Sequence, residues 1–159
     1  MARYRNNLPQ IERSQPEVSR LQPDPEVENI GMQIVMEHER SRGCQVYNIR
    51  KKNLGCHITS LYLNSGELRL VEVKGIGAAT GTVLLTPNER RVAEDRQDCY
   101  WLYVVTSCKS QLCLQEPIKN PARFPWHEVR KVEHYYLSVD ALTQPMSVRE
   151  SPASYGRES

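Results

Sequence analysis

Arg69-Leu70-Val71-Glu72-Val73-Lys74-Gly75 decides how this chain folds. Leu70, Val71 and Val73 are apolar and mostly β-branched, which suits a strand covered on both faces. Alternation along a strand puts residues i and i+2 on one face, so the Glu72 carboxylate and the Lys74 ammonium project side by side. A covered strand does not normally carry two charges unless they pair or serve a purpose. A Glu able to hold a divalent cation, next to a Lys able to orient an attacking water, is the pattern of metal-dependent phosphodiester chemistry. The same three letters also read as an exposed Glu/Lys pair on an edge strand, worth roughly 0.5 kcal/mol.

Working outward, Ile58 to Leu63 and Glu67 to Lys74 are β-prone runs separated by Asn64-Ser65-Gly66, which predicts a hairpin. Upstream, Val27, Ile30, Gly31, Ile34, Val35 and His38 follow helical spacing. Asp24-Pro25 supplies a start for that helix and Gly43 its C-terminal glycine. Cys44 to Ile49 reads as a short extended piece and Lys51-Lys52-Asn53-Leu54-Gly55 as a basic loop. Downstream, Gly75, Gly77 and Gly81 make an irregular connection. Thr86-Pro87-Asn88-Glu89 is a capping box with Pro in first position, which predicts a helix over about 87–97. Tyr100 to Val105 is an apolar, aromatic strand, and Cys113 to Ile118 a weaker one. Residues 129–139 fit either period, and their β-branched and aromatic content favours a strand. A hairpin set among helices argues α/β or α+β packing around one sheet.

The 159 residues fit one compact domain by the prior of about 150 residues per domain. The first 25 residues hold Pro9, Pro16, Pro23 and Pro25, and the last residues hold Pro145, Pro152 and several serines. The division expected is a flexible proline-rich arm over 1–25, a folded domain over 26–140 and a disordered tail over 141–159. A formal net charge of +2 does not by itself argue for nucleic acid. Its distribution says more: Arg40, Arg42, Arg50, Lys51 and Lys52 precede the charged strand, and Arg90, Arg91 and Arg96 lie on the later helix. No apolar run approaches the ~20 residues of a membrane span, and no secretory signal is visible, so an intracellular, cytoplasmic protein without a membrane partner is expected. The five cysteines are odd in number and include no C-x-x-C, which argues against a structural zinc site.

Two blocks of motifs carry a family resemblance. Ile30-Gly31-Met32, Glu37-His38-Glu39-Arg40-Ser41-Arg42-Gly43 and Lys51-Lys52-Asn53-Leu54-Gly55 form the first. Val71-Glu72-Val73-Lys74-Gly75, Leu85-Thr86-Pro87-Asn88-Glu89 and Tyr100-Trp101-Leu102-Tyr103-Val104-Val105 form the second. In this order, over about residues 27–122, they resemble the NO VEIN C-terminal domain family. That family's function is poorly defined; it resembles the PD-(D/E)XK nuclease fold and is often joined to helicase or defence modules. The resemblance implies an α/β, restriction-endonuclease-like core: a mixed central β-sheet flanked by helices, with flexible N- and C-terminal extensions. It matches Glu72 to the metal-binding Glu and Lys74 to the catalytic Lys, with Mg²⁺ or Mn²⁺ as the cofactor of an active enzyme.

The chain departs from that pattern where relatives place an Asp at the start of the hairpin. It reads Gly55-Cys56-His57-Ile58 instead. Mg²⁺ prefers oxygen ligands, whereas neutral imidazole suits Zn²⁺, Mn²⁺ or Fe²⁺ and brings no negative charge. His57 therefore stands as a substitute metal ligand or base, or as a hydrogen-bonded hairpin histidine. Gln33 is a second departure, at a position where relatives tend to carry Glu; Glu37 and Glu39 remain nearby. Lys51, Lys52 and Asn53 are expected to meet a nucleic-acid backbone, which positions a polyanion without reading sequence. Trp101 and Tyr103 read as core, and Glu89 and Arg90 as capping and surface residues.

Three readings stay open. One is a nuclease-like, nucleic-acid-associated module of a DNA-processing or defence assembly, with metal-dependent cleavage through Glu72, Lys74 and His57. Another is a catalytically inert nuclease-fold subunit docking on a larger protein partner such as a helicase. A third is a structural component whose N-terminal arm wraps a larger complex.

Overall fold

The structure is a computed structural model and describes residues 23–130 and 132–143. One compact unit runs to His127, and Glu128 onward forms a separate one. The arm expected over 1–25 and the tail expected over 141–159 fall mostly outside the described residues.

Helix α1 (Pro25–Ser41) begins as its sequence predicts. The Asp24 side chain accepts from the Glu26 N–H at 3.0 Å, Pro25 occupies the first turn, and Gly43 ends the helix with φ +85°. Strands β1 (Cys44–Asn48), β2 (Ile58–Tyr62) and β3 (Leu68–Gly75) follow as an antiparallel meander. Helix α2 (Pro87–Arg96) starts from a complete Thr86/Glu89 capping box and leads through a 3₁₀ turn to β4 (Tyr100–Thr106), which lies parallel to β3. A parallel neighbour needs a crossover of this kind, because both strands start at the same end. Two-residue strands β5 (Cys113–Leu114) and β6 (Ile118–Lys119) each pair antiparallel to β4, completing six strands in the order β1-β2-β3-β4-β5 with β6 also on β4. The single strand expected over Cys113–Ile118 is thus two, with Pro117, which has no N–H for a ladder, between them.

Alternation splits the sheet into two faces. Ile58, Val71, Val73, Tyr103 and Val105 turn toward α1 and pack with Val27, Met32 and Val35. Leu70 and Tyr100, with Cys56, turn toward α2 and pack with Ala93 and Val92. Glycines let the helices come this close. A Cβ on Gly75 would lie 2.5 Å from the Val27 carbonyl oxygen, and one on Gly55 (φ +84°) would lie 2.5 Å from Val92 Cγ2. The Tyr100 hydroxyl donates to the Gly55 carbonyl at 2.6 Å, tying β4 to the turn that enters β2.

On the α1 face one buried carboxylate organises the end of the helix. Glu39 is fully buried, accepts from Ser60 Oγ at 2.7 Å and from the Tyr103 hydroxyl, and pairs with Arg42 at 2.8 Å. Burial pushes its pKa up, but the two hydroxyls and the guanidinium more than offset this and hold it below the ordinary carboxylate range. Arg69 donates to the Tyr103 hydroxyl at 2.9 Å and stacks 3.8 Å from the centre of the Trp101 ring. Tyr103 is core, as its sequence setting suggests, while Trp101 is half-buried beneath this arginine.

The second unit corrects one expectation. Residues 129–139 form no strand among the described residues; the one regular piece is a helical turn, α3 (Val139–Leu142). Val132, Tyr135 and Tyr136 are exposed, so their β-propensity has no paired neighbour to act on. Among the described residues no helix is long and apolar enough to cross a membrane.

Two outcomes are expected from this packing. Gly75→Ala lowers unfolding stability by about 1–3 kcal/mol, because rigid backbone opposes its Cβ. Gly77→Ala meets only the flexible Lys109 chain and stays within about 0.5 kcal/mol, and paired chemical-denaturation curves distinguish the two. For Glu39 the folded pKa lies below the unfolded value, so its contribution is complete above about pH 4.5 and is lost as pH falls through the folded value. Glu39→Gln therefore costs about 3 kcal/mol at pH 7, and the gap to the unaltered protein narrows in acid, as denaturation at stepped pH reads out.

Candidate functional site

The α2 face of β3 carries the charges that its sequence announced. Glu72 and Lys74 alternate with Val71 and Val73, so the apolar pair fills the α1 core and the charged pair turns the other way. Glu72 has no exposed surface, and Lys74 retains 19 % of its side-chain exposure. The exposed edge-strand reading of this pair therefore fails: β3 lies inside the sheet, between β2 and β4.

His57 stands just before β2. Its backbone holds the hairpin in register, donating to Val71 O at 2.9 Å and accepting from the Ile49 N–H at 2.8 Å. Its Nε2 lies 3.4 Å from Glu72 Oε1. The fourth member comes from helix α2. Glu89 Oε2 accepts the Thr86 N–H at 2.9 Å, closing the capping box, and also lies 2.9 Å from Lys74 Nζ. Lys74 Nζ is in turn 2.8 Å from Glu72 Oε1. Ligand atoms of His57, Glu72 and Glu89 all fall within 4.8 Å of one another.

This environment sets the charges. Burial pushes the Glu72 carboxyl up to about 8, with Lys74 pulling against it and Glu89 adding to it. Burial works against the Lys74 ammonium, yet Glu72 and Glu89 together hold its pKa above the ordinary lysine value. Glu89 is also disfavoured by burial, but Lys74 and the Thr86 N–H hold it below the ordinary range. Burial, followed by the charge on Lys74, lowers the His57 pKa and leaves a neutral imidazole at pH 7. Both Glu72 oxygens and His57 Nδ1 are buried without an aligned hydrogen-bond donor or acceptor, the Lys74 contact being an ion pair out of line for a hydrogen bond.

The sequence reading placed His57, Glu72 and Lys74 in one site, and the fold brings those three together. It treated Glu89 as a capping residue, and that was half of its role. The visible signal was its position, three residues into the helix that follows the charged strand. What could not be read was that the crossover returns this helix start to the end of β3 bearing Lys74. Gln33 does not belong to the site: it is exposed on α1, and its amide donates to Glu37 at 3.3 Å. Glu39 serves the opposite face.

The basic loop adjoins His57 through the β1–β2 pairing. Arg50–Lys52 form a 3₁₀ turn closed by Asn53 at φ +50°, whose carbonyl accepts from the Asn88 side chain at 3.4 Å. Arg50 is engaged with Glu28 and Asn29, whereas the Lys51 and Lys52 side chains are exposed and have no partner among the described residues. On α2, Arg90 and Arg91 pair with Glu94 and Asp95 one turn further on. The free positive charge beside the site therefore comes from the turn.

Searches of curated proteins and of solved structures find no match. A family model described as Protein NO VEIN, C-terminal, matches residues 27–115. That span holds α1 from its third residue, the three-stranded meander, α2, β4 and β5, and with them all four residues of the cluster. The match covers more than half of the 159 residues, and the chain belongs to the NO VEIN C-terminal family.

Proposed function

We propose that this domain is a nuclease-like, nucleic-acid-associated module with a restriction-endonuclease-like core, working inside a DNA-processing or defence assembly. The observation that carries the reading is the convergence of His57, Glu72, Glu89 and Lys74, where His57, Lys74 and Glu89 keep 12–19 % of their side-chain exposure and Glu72 none. The element order supports it: a helix, three antiparallel strands, a helix and a strand parallel to the third. The assembly setting, with a helicase-like protein as partner, follows from the family resemblance.

The donor set suits a divalent cation. Glu72 offers two buried oxygens without an aligned hydrogen-bond donor, one of them 2.8 Å from the Lys74 ammonium, and two carboxylates with one imidazole are a ligand set for Mn²⁺ more than for Mg²⁺. A bound cation would supply Lewis-acid polarisation of a phosphodiester oxygen. Lys74, held by the carboxylates, presents a positive charge for the attacking hydroxide and the developing phosphorane charge. Neutral His57 keeps a lone pair for ligation or for taking a proton. Lys51 and Lys52 hold the polyanion at the recess through its phosphates.

A catalytically inert nuclease-fold subunit is the second reading, and Lys74 favours it. Its ammonium already lies between Glu72 and Glu89, and burial keeps Glu72 largely protonated at neutral pH. Such a recess is neutral without any metal. Docking on a protein partner would then be its use.

Plasmid nicking in Mn²⁺ separates the two. Nicking is expected from the unaltered protein, with a fall of about 100-fold or more in Glu72→Ala and Lys74→Ala. Intact plasmid with the unaltered protein, in the presence of measurable DNA binding, selects the inert reading. A Lys51→Ala/Lys52→Ala double variant is expected to weaken DNA binding irrespective of sequence. In a salt titration its log–log slope should fall by about 2, one for each phosphate contact removed.

A further inference from the structure

The nuclease pattern asks for two carboxylates at the cation, and the hairpin of this chain supplies a histidine in place of one. The fold restores the missing charge from elsewhere. Glu89 brings a carboxylate to the same recess from the first turn of α2, and a ligand oxygen of it lies within 4.8 Å of those of His57 and Glu72. The resulting set is two glutamates and one histidine. Resting on the nuclease-like reading above, we propose that Glu89 is the third metal ligand of this site, and that the His57/Glu72/Glu89 set selects a transition-metal dication, with Mn²⁺ as the probe, over Mg²⁺.

Three observations carry this. Glu72 is fully buried with both oxygens lacking an aligned donor, so an unsatisfied polar side chain points into the space between these residues. Glu72 and Glu89 face one common point, since the Lys74 ammonium lies 2.8 Å from the one and 2.9 Å from the other, and a dication binding both would displace that ammonium. The orientation of the Glu89 carboxylate is fixed by its second task, because it accepts the Thr86 N–H at 2.9 Å. A carboxylate anchored in this way is preorganised and loses little freedom on binding. The selectivity comes from His57: Mg²⁺ dehydrates reluctantly and takes oxygen donors, whereas later divalent ions accept imidazole.

Binding titrations on the full chain test this without relying on activity. Mn²⁺ is followed by loss of its free electron-paramagnetic-resonance signal, and Mg²⁺ by competition against bound Mn²⁺. The unaltered protein is expected to bind Mn²⁺ at least about tenfold more tightly than Mg²⁺. Glu89→Gln keeps a side chain that caps α2 and is expected to lose at least about tenfold in Mn²⁺ affinity, read on protein whose metal-free melting transition shows it folded. Thr86→Ala weakens the cap, leaves every ligand in place, and is expected to bind Mn²⁺ within about threefold of the unaltered protein. Unchanged Mn²⁺ affinity in Glu89→Gln, with binding abolished in Glu72→Gln, overturns the role of Glu89 and leaves the nuclease-like reading standing. Equal or tighter Mg²⁺ binding overturns the selectivity. Absence of Mn²⁺ binding by the unaltered protein overturns the proposal together with the metal-dependent reading beneath it.

Discussion

The structure is organised around two ionisable side chains on a strand that has no exposed face to spare. β3 lies between β2 and β4, with α1 on one side and α2 on the other. Glu72 and Lys74 therefore cannot be left to water, and an unpaired buried charge would cost several kcal/mol. They answer each other, and Glu89 answers Lys74 from the start of α2. The position of α2 is thereby fixed twice, by apolar contacts of Val92 and Ala93 and by the carboxylate at its N-terminus.

The other face solves a related problem differently. Glu39 is as deeply buried as Glu72, but two hydroxyls and a guanidinium satisfy it completely. The two carboxylates are pushed in opposite directions for that reason, Glu39 below its ordinary value and Glu72 to about 8. Satisfied polar networks hold structures together; an unsatisfied one is poised to take something up. The contrast within a single sheet is why the proposed function rests on the group at Glu72 and not on the network at Glu39.

Much of this was legible in the residues. Period-two alternation in Val71-Glu72-Val73-Lys74 fixes which pair enters the α1 core, and Thr86-Pro87-Asn88-Glu89 fixes the start of α2. The misses share a cause. Glu89 needed the path of the crossover, which local pattern does not encode. Residues 129–139 carry strand-forming side chains, but pairing is non-local, and propensity alone does not create a partner. The arginines of α2 looked like a free basic cluster until Glu94 and Asp95, a turn away, were found to engage Arg90 and Arg91.

The capping box of α2 has a consequence for how this domain changes over evolutionary time. Because Glu89 both begins a helix and faces the recess, selection for folding alone is enough to keep it. Lys74 is protected in the same way, since removing it would leave two carboxylates confronting each other in a nearly dry space. A lineage that abandoned chemistry would go on displaying much of the apparatus of an active one. The residue at position 57, which no helix cap or ion pair obliges the fold to retain, is where such a loss would be written first.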